Sequence, residues 1–294
     1  MAFGLYDAFI DVGGGSAFTI GQISQCTRSD NVNVLKAHYS GGISPQALFT
    51  QSAEPRIQLV SSDLSGILTN ISLSGGFAVT GAAAFPQIER ADGGTFEATS
   101  NQYVLAKLCS YITSITAEGN NPAVANVDIM PLSTDGFVDP LSTETGQTLS
   151  SQVFNYEYGL GTSKIASTGI PGLTKLVINP GLQLTLRYYN GGPFPQESFI
   201  QVVEPTITWT FEKTDIQATI EMYYAIASTA TAFLRRRTPG GTYVANATTS
   251  HIAFTLTGGI VVTDNISASG HDAGTFDITA HGKSLAVSLA SAIS

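Results

Sequence analysis

Along this chain apolar and polar residues alternate in short runs rather than recurring at helical spacing. Residues 206–212 place Ile207, Trp209 and Phe211 on one face and threonines on the other. Leu182, Leu184 and Leu186 alternate with Gln183, Thr185 and Arg187, while Ile252, Phe254 and Leu256 alternate with threonine or small residues. A period of two marks a half-buried strand, and threonine and aromatic side chains suit a pleated surface. Paired glycines at Gly41-Gly42, Gly191-Gly192, Gly93-Gly94 and Gly240-Gly241 predict hairpin turns between such runs. Two segments break the pattern. Residues 63–70 predict a short helix with Ser62 as its cap, and residues 215–224 a longer one capped by Thr214 with an acidic first turn.

The runs recur. Residues 39–57 match residues 189–207 without a gap, with ten of nineteen positions identical at an offset of 150. The shared positions include Gly41, Gly42, Pro45, Phe49, Glu54, Pro55 and Ile57 in the first segment, and Gly191, Gly192, Pro195, Phe199, Glu204, Pro205 and Ile207 in the second. Shorter matches follow in order: 93–96 with 240–243, 114–119 with 265–270, and 126–129 with 275–278, the last at an offset of 149. The pattern predicts a mainly β chain built as two tandem copies of a β-sandwich or half-barrel unit, each with one short helix. The first unit spans residues 1–133, a linker rich in Ser, Thr, Asp, Gly and Pro spans 134–150, and the second unit spans 151–294. Ile57 and Leu59 are expected to face inward like Ile207 and Trp209, with Trp209 in the core.

Composition narrows the function. The chain has 294 residues, of which 43% are hydrophobic, enough for real cores, but only 12% are charged. So few solvating charges suggest that partners cover much of the surface. A net charge of −9 argues against a dedicated nucleic-acid binder and against anionic membrane surfaces. The basic run Arg235–Arg237 is expected to be a solvated hairpin or an intersubunit salt bridge. The first residues lack a signal-peptide pattern, no apolar stretch is long enough to span a membrane, and the two cysteines, Cys26 and Cys109, are expected to be reduced, buried thiols.

No catalytic constellation emerges. The four histidines (His38, His251, His271 and His281) lack metal-ligand spacing and are expected at the surface or an interface. Gly13–Gly15 lacks the strand, helix and Lys of a phosphate loop. Glu54 and Glu204 recur in equivalent places, each before a proline at a strand start, as fold determinants do. The chain is therefore expected to be no enzyme and to use no metal or cofactor.

The Gly-Gly turn, the Glu-Pro-x-Ile strand and the short helix of each copy, with the closing stretch 267–280 of the second, resemble the tail tube, or major tail, proteins of long-tailed bacteriophages. The order of strands and turns from Gly172 to Ile207 is similar to theirs as well. The resemblance covers both halves and implies a structural virion protein, assembled in the host cytoplasm, whose rings stack into a tube. Its implied partners are further copies of itself, the tape-measure protein and other tail proteins, with DNA passing through the lumen without specific binding and no membrane involved. Single-unit tube proteins make six-membered rings, so two units per chain imply a homotrimer with pseudo-sixfold symmetry. An acidic lumen would repel phosphates. The alternative is a duplicated viral capsid protein forming pseudo-hexameric trimers. A DNA clamp would need a basic helical stripe, and a glycan hydrolase convergent carboxylates in a cleft.

Overall fold

The computed structural model describes residues 5–6, 8–10, 18–39, 42–79, 83–88, 100–105, 107–147, 156–165, 168–212, 229–238, 241–267 and 275–293. The chain is mainly β, with antiparallel sheets and a single helix among the described residues. One large sheet runs through the molecule. Its order is Ile260–Ser267, Thr275–His281, Thr206–Phe211, Leu173–Asn179, Leu108–Glu118, Val124–Pro131, Arg56–Ser61 and Ile23–Ser29, with Phe77–Val79 pairing beside Leu108–Glu118. The first four strands come from the second half of the chain and the last four from the first half. Each set has the same order when read by its place in its half.

The outer sheets repeat in the same way. In the first half Leu141–Gln147, Ser100–Leu105, Ala83–Ile88, Ala8–Ile10 and Phe18–Ile20 are neighbours, with Leu5–Tyr6 paired to Ala83–Ile88. In the second half the order is Ser284–Ser291, His251–Thr257, Ala230–Arg237, Glu157–Ile165 and Thr168–Ile170. Each half is thus a sandwich-like pair of sheets, and one hydrophobic core runs through both, from Ile57 and Leu59 to Trp209, Phe211 and Phe254.

Irregularities recur too, where the side chains have diverged. A bulge at Ser24 between Ile23–Ser29 and Arg56–Ser61 recurs at Thr174 between Leu173–Asn179 and Thr206–Phe211. The Ser24 hydroxyl donates to the Val60 carbonyl at 3.1 Å, and the Thr174 hydroxyl to that of Thr210, also at 3.1 Å. Positive φ recurs at Gln22 (53°) and Gly172 (78°), and at Asn31 (43°) and Gly181 (65°). Each pair lies 150 positions apart, so backbone shape recurs where identity has been lost. The strands Phe18–Ile20 and Thr168–Ile170 carry the correspondence ahead of residue 20.

Four expectations change. Asn126 pairs with Val60 and Asp277 with Thr210, so 126–129 corresponds to 277–280 at an offset of 151, two residues from the match read in the sequence. A slip of two preserves the face, which is why the sequence tolerates it. The stretch read as a linker contains the strand Leu141–Gln147, paired with Ser100–Leu105. The helix is Leu64–Asn70, and its cap is Asp63, whose Oδ1 accepts from Gly66 N at 3.1 Å. The Ser62 hydroxyl instead donates to the Gln22 side chain at 2.9 Å. His251 is buried: Nδ1 accepts from Arg236 N and Nε2 donates to the Ala245 carbonyl, both at 3.0 Å. The second expected helix, 215–224, lies outside the described residues, as do Gly41, Gly93, Gly94, Gly240 and His271.

Candidate assembly surfaces

The large sheet turns one face into the core, and the other is uncovered except where a hairpin of the second half lies on it. Alternation turns Ile57, Leu59, Ile207, Trp209 and Phe211 into the core, all at most 1% exposed. The second face is rich in hydroxyls and amides: Thr208 and Thr279 share a hydrogen bond at 3.0 Å, and Asn126 Nδ2 donates to the Ser114 hydroxyl at 2.9 Å. On the same face the Tyr111 hydroxyl donates to Asp128 at 3.0 Å, and both residues are buried. Burial, then the Asp128 carboxylate, raises the Tyr111 phenol. Lys175 lies 3.0 Å from Glu118 and Arg56 3.8 Å from Asp128, while Asp277 has no ion-pair partner among the described residues.

The halves join edge to edge. Leu108–Glu118 of the first pairs with Leu173–Asn179 of the second, matching Ile115 to Ile178 and Glu118 to Lys175. Beside this junction a recess of about 790 Å³ opens, and two of its charged side chains are already engaged, Glu118 by Lys175 and Arg235 by the Val244 carbonyl at 3.0 Å. The strands equivalent to the joined pair, Ile260–Ser267 and Ile23–Ser29, stand at the two ends of the large sheet, and no described strand pairs with their outer edges. At the junction Leu176 and Ile178 are fully buried. Their equivalents on the open edge are Cys26, half-buried, and Arg28, exposed. Cys26 is therefore less enclosed than expected; even so, burial pushes its thiol up to about 11.

Each half also extends a two-stranded hairpin. In the second half, Leu182–Arg187 and Glu197–Val203 lie against the back of the first half, where Leu184 and Leu186 pack on Cys109, Met130 and Leu132. Three bonds lock its tip: Ser133 N donates to the Pro195 carbonyl at 2.8 Å, Phe194 N to the Gly136 carbonyl at 3.1 Å, and the Lys107 ammonium to the Gln196 carbonyl at 2.7 Å. Asn190 and Gly191 both have positive φ, and Gly192 N returns to the Tyr189 carbonyl at 3.1 Å, as a type I′ turn requires. Gly192 lies so close to the first half that a Cβ there would sit 2.3 Å from the Gly136 carbonyl oxygen.

The hairpin of the first half, Val32–Ala37 and Ala47–Ala53, has the same register and the same bulge. Its surroundings differ. Pro195 and Gln196 are buried, whereas Pro45 and Gln46 are exposed. Leu48 and Phe49 are 62% and 52% exposed, and Val32, Val34 and Leu35 are exposed as well. Pro55 and Pro205 are buried and immediately precede the strands that carry Ile57 and Ile207. The Glu54 carboxylate accepts from the Tyr188 hydroxyl at 2.8 Å, while Glu204 is exposed.

Arg235–Arg237 is not a solvated hairpin. It ends the strand Ala230–Arg237, with Arg237 Nε 3.0 Å from Glu157 and the Arg236 guanidinium over the Tyr156 ring. Among the described residues no three His, Cys, Asp or Glu side chains converge as a metal site, and no helix is long and apolar enough to cross a membrane. Sequence reading missed the two open edges and the bare hairpin; the contrast of Val34-Leu35 and Leu48-Phe49 with Leu184-Thr185 and Ser198-Phe199 in the second copy was the available signal. No protein-family model and no curated protein matches the chain.

Proposed function

We propose that this chain is a structural virion protein whose rings stack into a bacteriophage tail tube, with three chains to a ring. The observation that carries this reading is the junction between the halves. Leu108–Glu118 and Leu173–Asn179 form a continuous antiparallel pairing inside the chain, and their equivalents Ile260–Ser267 and Ile23–Ser29 stand open at opposite ends of the same sheet. Repeating the internal contact between chains pairs Ile23–Ser29 of one with Ile260–Ser267 of the next. By equivalence Ile266 faces Arg28 and Ser267 faces Thr27. Such a head-to-tail contact satisfies both open edges of the large sheet when the rotation closes, and three chains give six near-equivalent units.

Closure places the uncovered face of the large sheet around the channel. Outside the part that the hairpin covers, that lining is mainly threonine, serine and asparagine, with Lys175 paired to Glu118 and Asp277 adding an acid, rather than the uniformly acidic surface expected from the net charge. Hydroxyls already bonded to neighbouring strands offer DNA few free donors, and paired charges offer no run of cations for phosphates. Passage without specific binding follows from this chemistry, and tape-measure protein occupies the same channel before DNA does.

Light scattering on the purified chain, with negative-stain images of the same sample, tests the reading. The expected result is a three-chain particle with a central hole and six lobes, stacking into tubes. A protein monomeric at all concentrations, with neither ring nor tube, overturns it. Closed icosahedral shells would favour the duplicated capsid protein instead.

A further inference from the structure

The structure assigns the bare hairpin a seat: we propose that Val32–Ala37 and Ala47–Ala53 form an arm that docks on the second half of another copy of this chain, Leu48 against Ile260 and His38 beside Glu204. The choice of neighbour rests on the ring reading above, whereas the seat itself rests on contacts within a single chain.

The docked hairpin supplies the template. Its inward face carries Leu184 and Leu186, with Ser198 opposite Leu186 and Ile200 opposite Leu184. The Ser198 hydroxyl lies against the Cys109 thiol, which burial raises. Cys109 is itself paired across strands with Met130, and the two are 5% and 1% exposed. The corresponding cross-strand pair in the second half is Ile260 with His281. Among the described residues nothing fills this seat: Ile260 is 51% exposed and His281 is exposed too.

One inward position of the arm has changed to match, while Lys36 and Thr50 stand where Leu186 and Ile200 stand. Leu48 stands where Ser198 stands, and Ile260 where Cys109 stands, so a hydroxyl–thiol contact becomes an aliphatic pair. A second contact changes in the same complementary way. The Tyr188 hydroxyl donates to the Glu54 carboxylate at 2.8 Å inside the chain, and the equivalent residues are His38 and Glu204, again a donor and a carboxylate. At the tip, Ala53 N donates to the Pro193 carbonyl at 2.8 Å. The matching groups are Val203 N and the carbonyl of Ile43, whose side chain is 99% exposed. Three contacts thus have chemically compatible counterparts, each split between a feature of the arm and a feature of the second half. An edge pairing of Ile23–Ser29 with Ile260–Ser267 delivers the arm, which follows directly in sequence, to this seat.

The test is a disulfide between chains. The double variant Leu48→Cys, Ile260→Cys is oxidised with diamide at assembly concentration and run on a non-reducing gel, beside wild type and each single variant. Covalent dimers and trimers from the double variant alone are expected. Three-chain rings without these cross-links overturn the arm and leave the tube reading intact, whereas absence of any oligomer in wild type overturns both. A second variant guards against misfolding. Leu48→Glu alters a residue exposed in the single chain, so the thermal unfolding midpoint should hold while the concentration needed for ring assembly rises roughly tenfold or more. Unchanged assembly by Leu48→Glu also overturns the arm.

Discussion

Trp209 offers the most direct test of how the core is built. It is 0% exposed, in the middle of Thr206–Phe211, paired with Leu176 on one side and Ile278 on the other. Burying a tryptophan removes about 150–250 Å² from water, worth ~4–6 kcal/mol at roughly 25 cal/mol per Å². Against this, its indole Nε1 is buried without a hydrogen-bond partner, which costs about 1–3 kcal/mol. Truncation leaves a cavity that rigid strands on both sides cannot close. Trp209→Ala should therefore cost ~3–5 kcal/mol. Trp209→Phe keeps most of the volume and removes the unsatisfied donor, so it should cost less than about 1.5 kcal/mol. Urea unfolding followed by circular dichroism measures both. A cost below ~1 kcal/mol for Trp209→Ala, or equal costs for the two variants, would refute the reasoning, because either result means that the ring is not enclosed.

Other sites give sharper local expectations. Asp63→Ala should cost about 1–2 kcal/mol, since the carboxylate caps Gly66 N and also accepts from Gly21 N at 3.2 Å, and amide exchange should speed up first in Leu64–Asn70. Gly181→Ala should lower stability by ~2 kcal/mol or more, because φ is 65° and the new Cβ would meet the Glu204 carbonyl oxygen at 1.9 Å, whereas Asn31→Gly at the equivalent site should change the urea midpoint little. Cys26, with its thiol pushed up to about 11, should alkylate far more slowly at pH 8 than a free thiol of pKa ~8.5 and accelerate as pH approaches 11; reaction at the rate of free cysteine would contradict the burial.

The strands were legible where their two faces differ. Thr206–Phe211 has the core on one side and the uncovered face on the other, so alternation shows through. His251–Thr257 does not obey this rule at its start, because Ala253 clusters with Phe233 and Ile293 on its outer face and His251 is buried as well. A polar residue there is satisfied by backbone groups that no local pattern reveals. Leu141–Gln147 was hidden for the opposite reason: Ser and Thr serve loops and strands alike, and only pairing with Ser100–Leu105 decides between them. The cap shifted from Ser62 to Asp63 because Gln22, forty residues upstream, takes the serine hydroxyl.

The assembly surfaces belong to a different class of information. Nothing in residues 32–53 alone separates an exposed arm from a docked one, since the ungapped match to the second half predicts equal environments. Only the contrast between halves does so: the same hairpin has Pro195 and Gln196 buried in one setting and Pro45 and Gln46 exposed in the other. That contrast also bears on how the copies diverged. An internal contact such as Ser198 with Cys109 forms at the high effective concentration of a single chain and needs little apolar area. The equivalent contact between chains must overcome the entropy of association, and it is there that Leu48 and Ile260 have replaced a hydroxyl and a thiol. On the ring reading the exchange runs both ways: Leu48 and Ile260 supply an aliphatic pair, while Lys36 and Thr50 stand where Leu186 and Ile200 stand in the docked hairpin, so the contact between chains has been redistributed across the seat.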